Sequence, residues 1–529
     1  MVTLALVLPA CEATATQQSS VPAGSPHPGQ TLWLGLPSDP NCLDPQQTGV
    51  TASLSIGRQL VDSLTDQDPR TAAIRPWLAT NWEVSPDGRS FTFQLRPGAT
   101  FSDGSPVDAE AVKTNFDAIV RLGARSQVGS TYLKGYAGTT VLGPYRFRVD
   151  FTVPTAQFLQ ATSTVSLGLL SPSAFTVSPE QRCQGTRLIG SGPFVLADYT
   201  ANESVTLRKR KDYAWPSSLA RHAGAAYLDE LKFSIIPESG VRAGALLSGE
   251  LDAATDIQPH DESVFDGNGF HLLTRPNPGI PLTLLPNVTR SGLRDRRVRR
   301  AIQHAVNRQQ LVDVALSPRY RPATGMLASS TPFFVDQSDE LRFNPVAAKR
   351  LLDEAGWRPG QNGIRTKNGQ RLVFDVIFGP TFGPSRNILV LIQQQLREIG
   401  IKLRLRQLTV GEAIATQARG DFDFTLVSLT RADPDVLRMT FSTKSRNPCR
   451  LPPSPLDDML SRQAAAIDPQ QRAAAVTDVL NNLATRAVAV PLIELNQVVA
   501  TNEATHGLHF ESASRLQLYD TWKSSQKGS

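Results

Sequence analysis

Two spacings organise the hydrophobic positions of this chain, one of period two and one of helical period. Residues 31–36 alternate around Leu32 and Leu34 and predict a strand, which Pro37, Pro40 and Pro45 bring to an end. Residues 82–95 predict strand, turn, strand. Ser85-Pro86-Asp87-Gly88 supplies the turn, and Phe91, Phe93 and Leu95 share one face. From Asp108 the period changes, and Val112, Phe116, Ile119 and Val120 fall on one helical stripe. Tyr145, Phe147, Val149 and Phe151 then alternate as a further strand. Residues 58–182 thus read as an α+β block.

Helices and strands alternate more regularly in the C-terminal half. Residues 296–305 are helical, and Asn307 with Gln310 predicts a capping box for the next helix. Asn344-Pro345 opens another helix with proline at its first position, and Gly356 closes it. The stripe Ile388, Ile392, Leu396, Ile399 ends at Gly400, and Ile401, Leu403 and Leu405 follow at once as a strand. The mostly apolar run 422–429 suits a strand buried on both faces. Such traffic implies a sheet with helices on its faces.

Composition adds limits. The chain has 529 residues, 40% of them hydrophobic and 19% charged, with a formal net charge of +6. That length predicts roughly three domains, and the apolar content excludes disorder for the bulk of the chain. The basic excess is spread out, so nucleic acid is not an expected partner. Arg296, Arg297, Arg299 and Arg300 form a basic cluster that reads as a solvated helix face with some ion pairs. Residues 1–10 are apolar but too few to span about 30 Å of hydrocarbon. They end Leu8-Pro9-Ala10-Cys11, which resembles a bacterial lipobox: cleavage before Cys11 and lipidation of its thiol. The polar stretch 12–29 that follows reads as a flexible tether.

Motifs for catalysis are missing. No Gly-Lys dipeptide occurs, so there is no phosphate-binding P-loop, and no His-Glu-x-x-His is present. His506 and His509 lack a nearby acidic or cysteine partner and read as surface histidines, and no Cys-x-x-Cys pair suggests zinc. Gly190-Ser191-Gly192 is no nucleophile elbow, because Pro193 spoils the helix that must follow. It reads as a tight turn or hinge. Neither an enzyme nor a metal or cofactor site is expected.

Five ordered groups of residues carry a resemblance. The first runs from Leu78-Ala79-Thr80-Asn81-Trp82 through Ser85-Pro86-Asp87-Gly88 and Phe91-Thr92-Phe93 to Phe101-Ser102-Asp103-Gly104 and Asp108-Ala109-Glu110. Gly190-Ser191-Gly192-Pro193-Phe194 with Arg208 and Asp212-Tyr213 is the second, and Leu247-Ser248-Gly249-Glu250-Leu251-Asp252 the third. The fourth starts at Asp295-Arg296-Arg297-Val298 and reaches Asn307-Arg308. The fifth joins residues 347–357 and 393–401 to Gly420-Asp421-Phe422-Asp423 and Ala432-Asp433-Pro434-Asp435. The set resembles family 5 of the extracellular solute-binding proteins, the dipeptide, oligopeptide and nickel receptors of ABC importers, over residues 30–500.

That resemblance implies an α/β type II periplasmic-binding-protein fold (cluster C): two lobes, a cleft, and an extra α+β domain inserted in lobe one. Lobe one would be 30–57, 183–283 and 490–529, the insertion 58–182, and lobe two 284–489. Asp433 stands where relatives grip a peptide α-ammonium, although Asp-Pro also begins ordinary turns. Ser428, Leu429, Thr430 and Arg431 would line the cleft from lobe two, with Leu36, Pro37 and Ser38 from lobe one. Arg431 suits a ligand carboxylate, or a pair with Asp433 or Asp435. Cys42 and Cys183 flank the mapped insertion and are the favoured disulfide, leaving Cys449 as the odd thiol. The implied protein is a monomer, lipid-anchored on the extracytoplasmic face, passing short peptides to a permease with separate ATPases. Haem or another non-peptide solute is the alternative ligand, and a non-binding envelope scaffold the alternative role.

Overall fold

A computed structural model describes residues 25–267, 269–380 and 382–524. The expected lipidation site, Cys11, lies outside them. Three sheets carry the architecture. The first has seven strands in the order Phe270–Pro276, Asn496–Asn502, Ala253–Thr255, Thr31–Leu36, Glu230–Ile235, Ser204–Lys209 and Phe194–Thr200. Its centre is the predicted strand Thr31–Leu36, parallel to both neighbours, with Leu32, Leu34 and Leu36 buried.

Six strands form the second sheet, in the order Arg321–Pro322, Val490–Glu494, Gly279–Pro286, Phe424–Thr430, Val373–Phe378 and Lys402–Gln407. The apolar run 422–429 is central here, but only residues 422–425 are buried as expected, and the strand is half-exposed from Leu426 to Thr430. Helices Arg296–Ala305, Pro345–Glu354 and Ser385–Glu398 all form. The last turns into its strand through Gly400, at φ +88°.

The third sheet is antiparallel, in the order Ala79–Val84, Ser90–Leu95, Arg146–Phe151, Tyr136–Gly143. Helix Ala109–Leu122 packs on it, and the Asp108 side chain caps that helix by accepting from the Ala111 N–H. Phe158 fills the centre, its ring 4.9 Å from Phe91 and 4.8 Å from Phe151 in edge-on geometry. This core runs on without a break into that of the first sheet. The insertion and lobe one therefore share one core.

Strand pairing shifts two of the expected boundaries, and a helix spans a third. Gly279–Pro286 pairs with Phe424–Thr430 from its first residue, and Val490–Glu494 pairs with Gly279–Pro286. The chain thus enters the second sheet after Asn277-Pro278 and leaves it at Leu495, not at 283/284 and 489/490. The expected division at 57/58 falls inside helix Thr51–Leu60.

Two side-chain expectations also change. Asn307 does cap its helix, accepting from the Gln310 N–H, but its own N–H goes to Gln395 Oε1 and no reciprocal box closes. Arg299 is not on the solvated face. It is buried and donates to the carbonyls of Leu293, Arg294, Arg486 and Ala487. Its neighbours Arg297 and Arg300 do form ion pairs, with Asp295 and Glu340.

At Gly190 and Gly192 an added Cβ would overlap the main chain of Leu60. Close backbone approach, not hinge freedom, requires these glycines. Beside them Asp62 is fully buried, accepting from Trp215 Nε1 at 3.0 Å and the Tyr213 hydroxyl at 3.1 Å. Burial pushes its carboxyl up to about 7, against the pull of those donors, Arg58 and Arg210.

Cys42 and Cys183 are joined by a disulfide across 141 residues, at the root of the insertion, and Cys449 is a buried free thiol. Replacing both bridged cysteines by serine is expected to lower the unfolding free energy by roughly 2–5 kcal/mol, read from urea denaturation beside the reduced native chain. Asp62 gives a pH signature. Its folded pKa is raised, so its contribution is present below about pH 4 and is lost as pH climbs through about 7. Asp62→Asn should therefore show a shallower fall in stability between pH 5 and 8 than the native chain, by denaturation at each pH.

Candidate functional site

In open α/β sheets, ligands sit beyond the carboxyl ends of the parallel strands. Strand Phe424–Thr430 ends there and hands the chain to residues 431–435. One edge of this strand pairs with Gly279–Pro286 throughout, apart from a bulge. Its other edge pairs with Val373–Phe378 only at Phe424 and Thr425. From Leu426 to Thr430 that edge faces no strand among the described residues.

The expected lobe-two residues separate into different roles. Ser428, Thr430 and Arg431 are half-exposed. Leu429 packs against the second-lobe core. Asp433 is buried, and Arg472 takes both of its oxygens, at 2.7 and 2.9 Å. The same carboxylate accepts from the Asp435 N–H at 2.8 Å, closing the turn that opens helix Val436–Phe441. Asp433 therefore serves an internal pair and a turn, and an α-ammonium would have to compete with a bidentate guanidinium for it. Asp435 is bound by Arg438 at 2.6 and 2.8 Å and by Gln463 at 2.7 Å, while burial pushes its carboxyl up. From lobe one, Leu36 belongs to the core, and only Pro37 and Ser38 reach solvent.

Arg431 takes neither internal option. It forms no ion pair among the described residues; its guanidinium lies 5.5 Å from the centre of the Tyr132 ring in the insertion and donates to the Thr430 carbonyl. Tyr132 is 4% exposed, and its hydroxyl has no hydrogen-bond partner among the described residues.

Arg515 approaches from the C-terminal segment. It ends a tight turn in which the Glu511 N–H donates to the Arg515 carbonyl, and Ser514 of that turn donates to the Pro276 carbonyl at the crossing. The Arg515 side chain is 6% exposed, and its one partner among the described residues is the Thr51 hydroxyl at 2.9 Å. Burial and the Arg431 charge lower its pKa to about 10, with Glu511 opposing, so it stays protonated at neutral pH.

Arg446 completes the group. It is exposed and without an ion pair among the described residues, and desolvation and the charge of Arg431 lower its pKa. Lys134 of the insertion reaches the Lys444 carbonyl at 3.1 Å and brings the two sides together at this point. Arg446, Arg515 and Tyr132 were not among the sequence candidates. Tyr132 lies more than three hundred residues before Arg446 and Arg515, and no local spacing marks any of them.

Two cavities lie elsewhere. One of about 30 Å³ is enclosed by Arg58, Asp66, Trp77 and Tyr213, and another of about 550 Å³ opens on lobe two beside Arg290, Trp357 and Arg404. Among the described residues no His, Cys, Asp and Glu side chains group as a metal site, and His506 stacks on Trp522. No helix among them is long and apolar enough to cross a membrane.

Two sheets joined by two crossings, with charged groups gathered at the strand ends between them, define a two-lobed solute receptor. The chain belongs to the family described as bacterial extracellular solute-binding proteins, family 5, whose middle region it matches over residues 73–448. It is 27% identical to the glutathione-binding protein GsiB of Salmonella paratyphi A over 410 residues, 75% of this chain and 73% of the relative. It is also 27% identical to the nickel-binding periplasmic protein of Escherichia coli over 500 residues, 91% of each. In structure it resembles NikA from Brucella suis in complex with Fe(III)-EDTA, with a TM-score of 0.81, 24% identity, and coverage of 94% of this chain and all of that one. AppA from Bacillus subtilis, in complex with a nonapeptide, matches at 0.78 with 20% identity and the same coverage.

Because Asp433 and Arg472 are both buried, removing one strands the other. Asp433→Ala is expected to cost roughly 3–5 kcal/mol of stability, and Asp433→Leu with Arg472→Met to recover most of it. Denaturant titration of the three chains checks this. A fully stable single variant that has lost solute affinity would instead make Asp433 a ligand group.

Proposed function

We propose that this chain is the receptor of an ABC importer, lipid-anchored through Cys11 on the extracytoplasmic face, and that it captures short peptides between its lobes. The observation that carries the peptide reading is the free edge of Leu426–Thr430, which ends at the unpaired Arg431. A peptide laid along it would gain main-chain hydrogen bonds that do not depend on its side chains. Arg431 would then hold its terminal carboxylate. Terminal recognition on this reading rests on the arginine end, and the α-ammonium finds its partner elsewhere than at Asp433.

The relatives named for glutathione and bound to a nonapeptide support a peptide-like solute. Haem calls for apolar walls, and the groups gathered here are guanidiniums and a phenol. The lobes would close around the solute, and a permease with separate ATPases would read the closed form.

The test is native mass spectrometry of the soluble chain from residue 12, followed by thermal shift with a mixed di- to pentapeptide library. Peptide-mass adducts are expected, with a stabilisation of about 2.7 kcal/mol at a hundred times the dissociation constant. A chain that carries no adduct and is unshifted by the library would instead be an envelope scaffold.

A further inference from the structure

We infer that the captured solute is a polycarboxylate, an anion with at least two carboxylates set against Arg431, Arg446 and Arg515. The inference rests on the receptor reading above and deepens it. The charges around the junction sort into two groups. Arg472 is consumed by Asp433, Arg438 by Asp435, and Arg58 by Glu511 at 2.9 Å. Once these pairs are set aside, Arg275, Arg431, Arg446 and Arg515 remain with no carboxylate in bridging distance among the described residues; Arg275 donates to the Pro69 and Ser512 carbonyls, which leaves the other three. They come from lobe two, from the loop before Cys449, and from the C-terminal turn.

Arg515 and Tyr132 are each more than nine-tenths buried; Arg515 uses one N–H on Thr51, and the Tyr132 hydroxyl has no partner among the described residues. Their remaining N–H and O–H groups are not sealed off from solvent, so an arriving solute can reach them. The three cations also work against each other, since Arg431 lowers the pKa of both Arg446 and Arg515. Glu511 lies near enough to Arg515 to oppose that lowering, but it is itself bound by Arg58, and no acid bridges any of the three as Asp433, Asp435 and Glu511 bridge Arg472, Arg438 and Arg58. A carboxylate presents two oxygens to the guanidinium fork and would relieve this repulsion. A single peptide C-terminus neutralises one of the three charges, so further carboxylates are needed. An acidic short peptide and a non-peptide polycarboxylic acid share this chemistry.

The experiment is isothermal titration of the full soluble chain with Glu-Glu, Ala-Ala, Lys-Lys and tricarballylate. Glu-Glu is expected to bind at least about tenfold tighter than Ala-Ala, with Lys-Lys weakest, and its affinity to fall steeply with salt. Arg446→Gln, at an exposed position with no partner to strand, should reduce the preference for Glu-Glu over Ala-Ala by about tenfold. Lys349→Gln, on an exposed helix face, should leave that preference unchanged. Tricarballylate binding as tightly as Glu-Glu would identify a free polycarboxylate, and Glu-Glu binding alone an acidic peptide; either supports the inference. Equal affinity for all three peptides, or binding seen only with the mixed library, overturns it and leaves the receptor reading standing. No binding by the four probes or the library ends both.

Discussion

The paired crossing at Asn277-Pro278 and Leu495 is the constraint on which the rest of the molecule depends. Two antiparallel strands run side by side out of one sheet and into the other, and the Asn277 N–H donates to the Leu495 carbonyl at 2.8 Å between them. Everything that must differ between an open and a closed receptor passes through these few residues. Gly279 follows at once, at φ +105°, where a Cβ would overlap the main chain of Leu429 and Arg431. The Arg431 N–H donates to the Pro278 carbonyl at 3.0 Å. The cationic loop is therefore bonded to the crossing itself, and a rotation there carries Arg431 relative to Tyr132.

Arginine has two separate uses in this chain, and the distinction supports the site proposed above. Arg242, Arg299 and Arg308 are buried, and each spreads its N–H groups over several main-chain carbonyls where segments distant in sequence meet. Burial lowers the pKa of Arg308 to about 9, and it remains charged at neutral pH. These side chains fasten the fold, because a carbonyl accepts a cationic donor without adding a second charge to desolvate. Arg431, Arg446 and Arg515 fasten almost nothing. None of the three makes an ion pair among the described residues, which supports the proposal that they are kept for a solute.

Local structure was legible in the sequence because its causes are local. Alternation placed the strand Thr31–Leu36, proline and asparagine placed the start of helix Pro345–Glu354, and Gly400 marked the turn into the next strand. The resemblance drawn from ordered motifs gave the family. Failures came wherever a partner distant in sequence decides. Gln395 replaced Gln310 at the Asn307 N–H, and the carbonyls at 486–487 drew Arg299 inward. The Arg472 partner of Asp433 was likewise not visible in the sequence. The site shows the same limit. Arg431 could be named because it follows a strand, but its companions at 132, 446 and 515 meet it only in three dimensions.

Closure sets the energetic scale for the site. The insertion shares its core with lobe one, so the moving faces are insertion against lobe two. They touch through sparse contacts, such as the Ala156 N–H on the Ala464 carbonyl at 2.9 Å and Lys134 on the Lys444 carbonyl. Two hydrogen bonds of this kind contribute on the order of 1 kcal/mol each, too little to hold a large two-lobed body shut. Driving such an equilibrium from mostly open to mostly closed takes about 5.5 kcal/mol of differential binding. Two charge-assisted guanidinium–carboxylate pairs, at roughly 1.5–3 kcal/mol each, reach that scale only if they form in the closed state alone. The cluster meets this condition because its cations are contributed across the junction. On the polycarboxylate reading, a solute bound to lobe two alone would meet Arg431 and Arg446, and closure would add Arg515 and the Tyr132 hydroxyl.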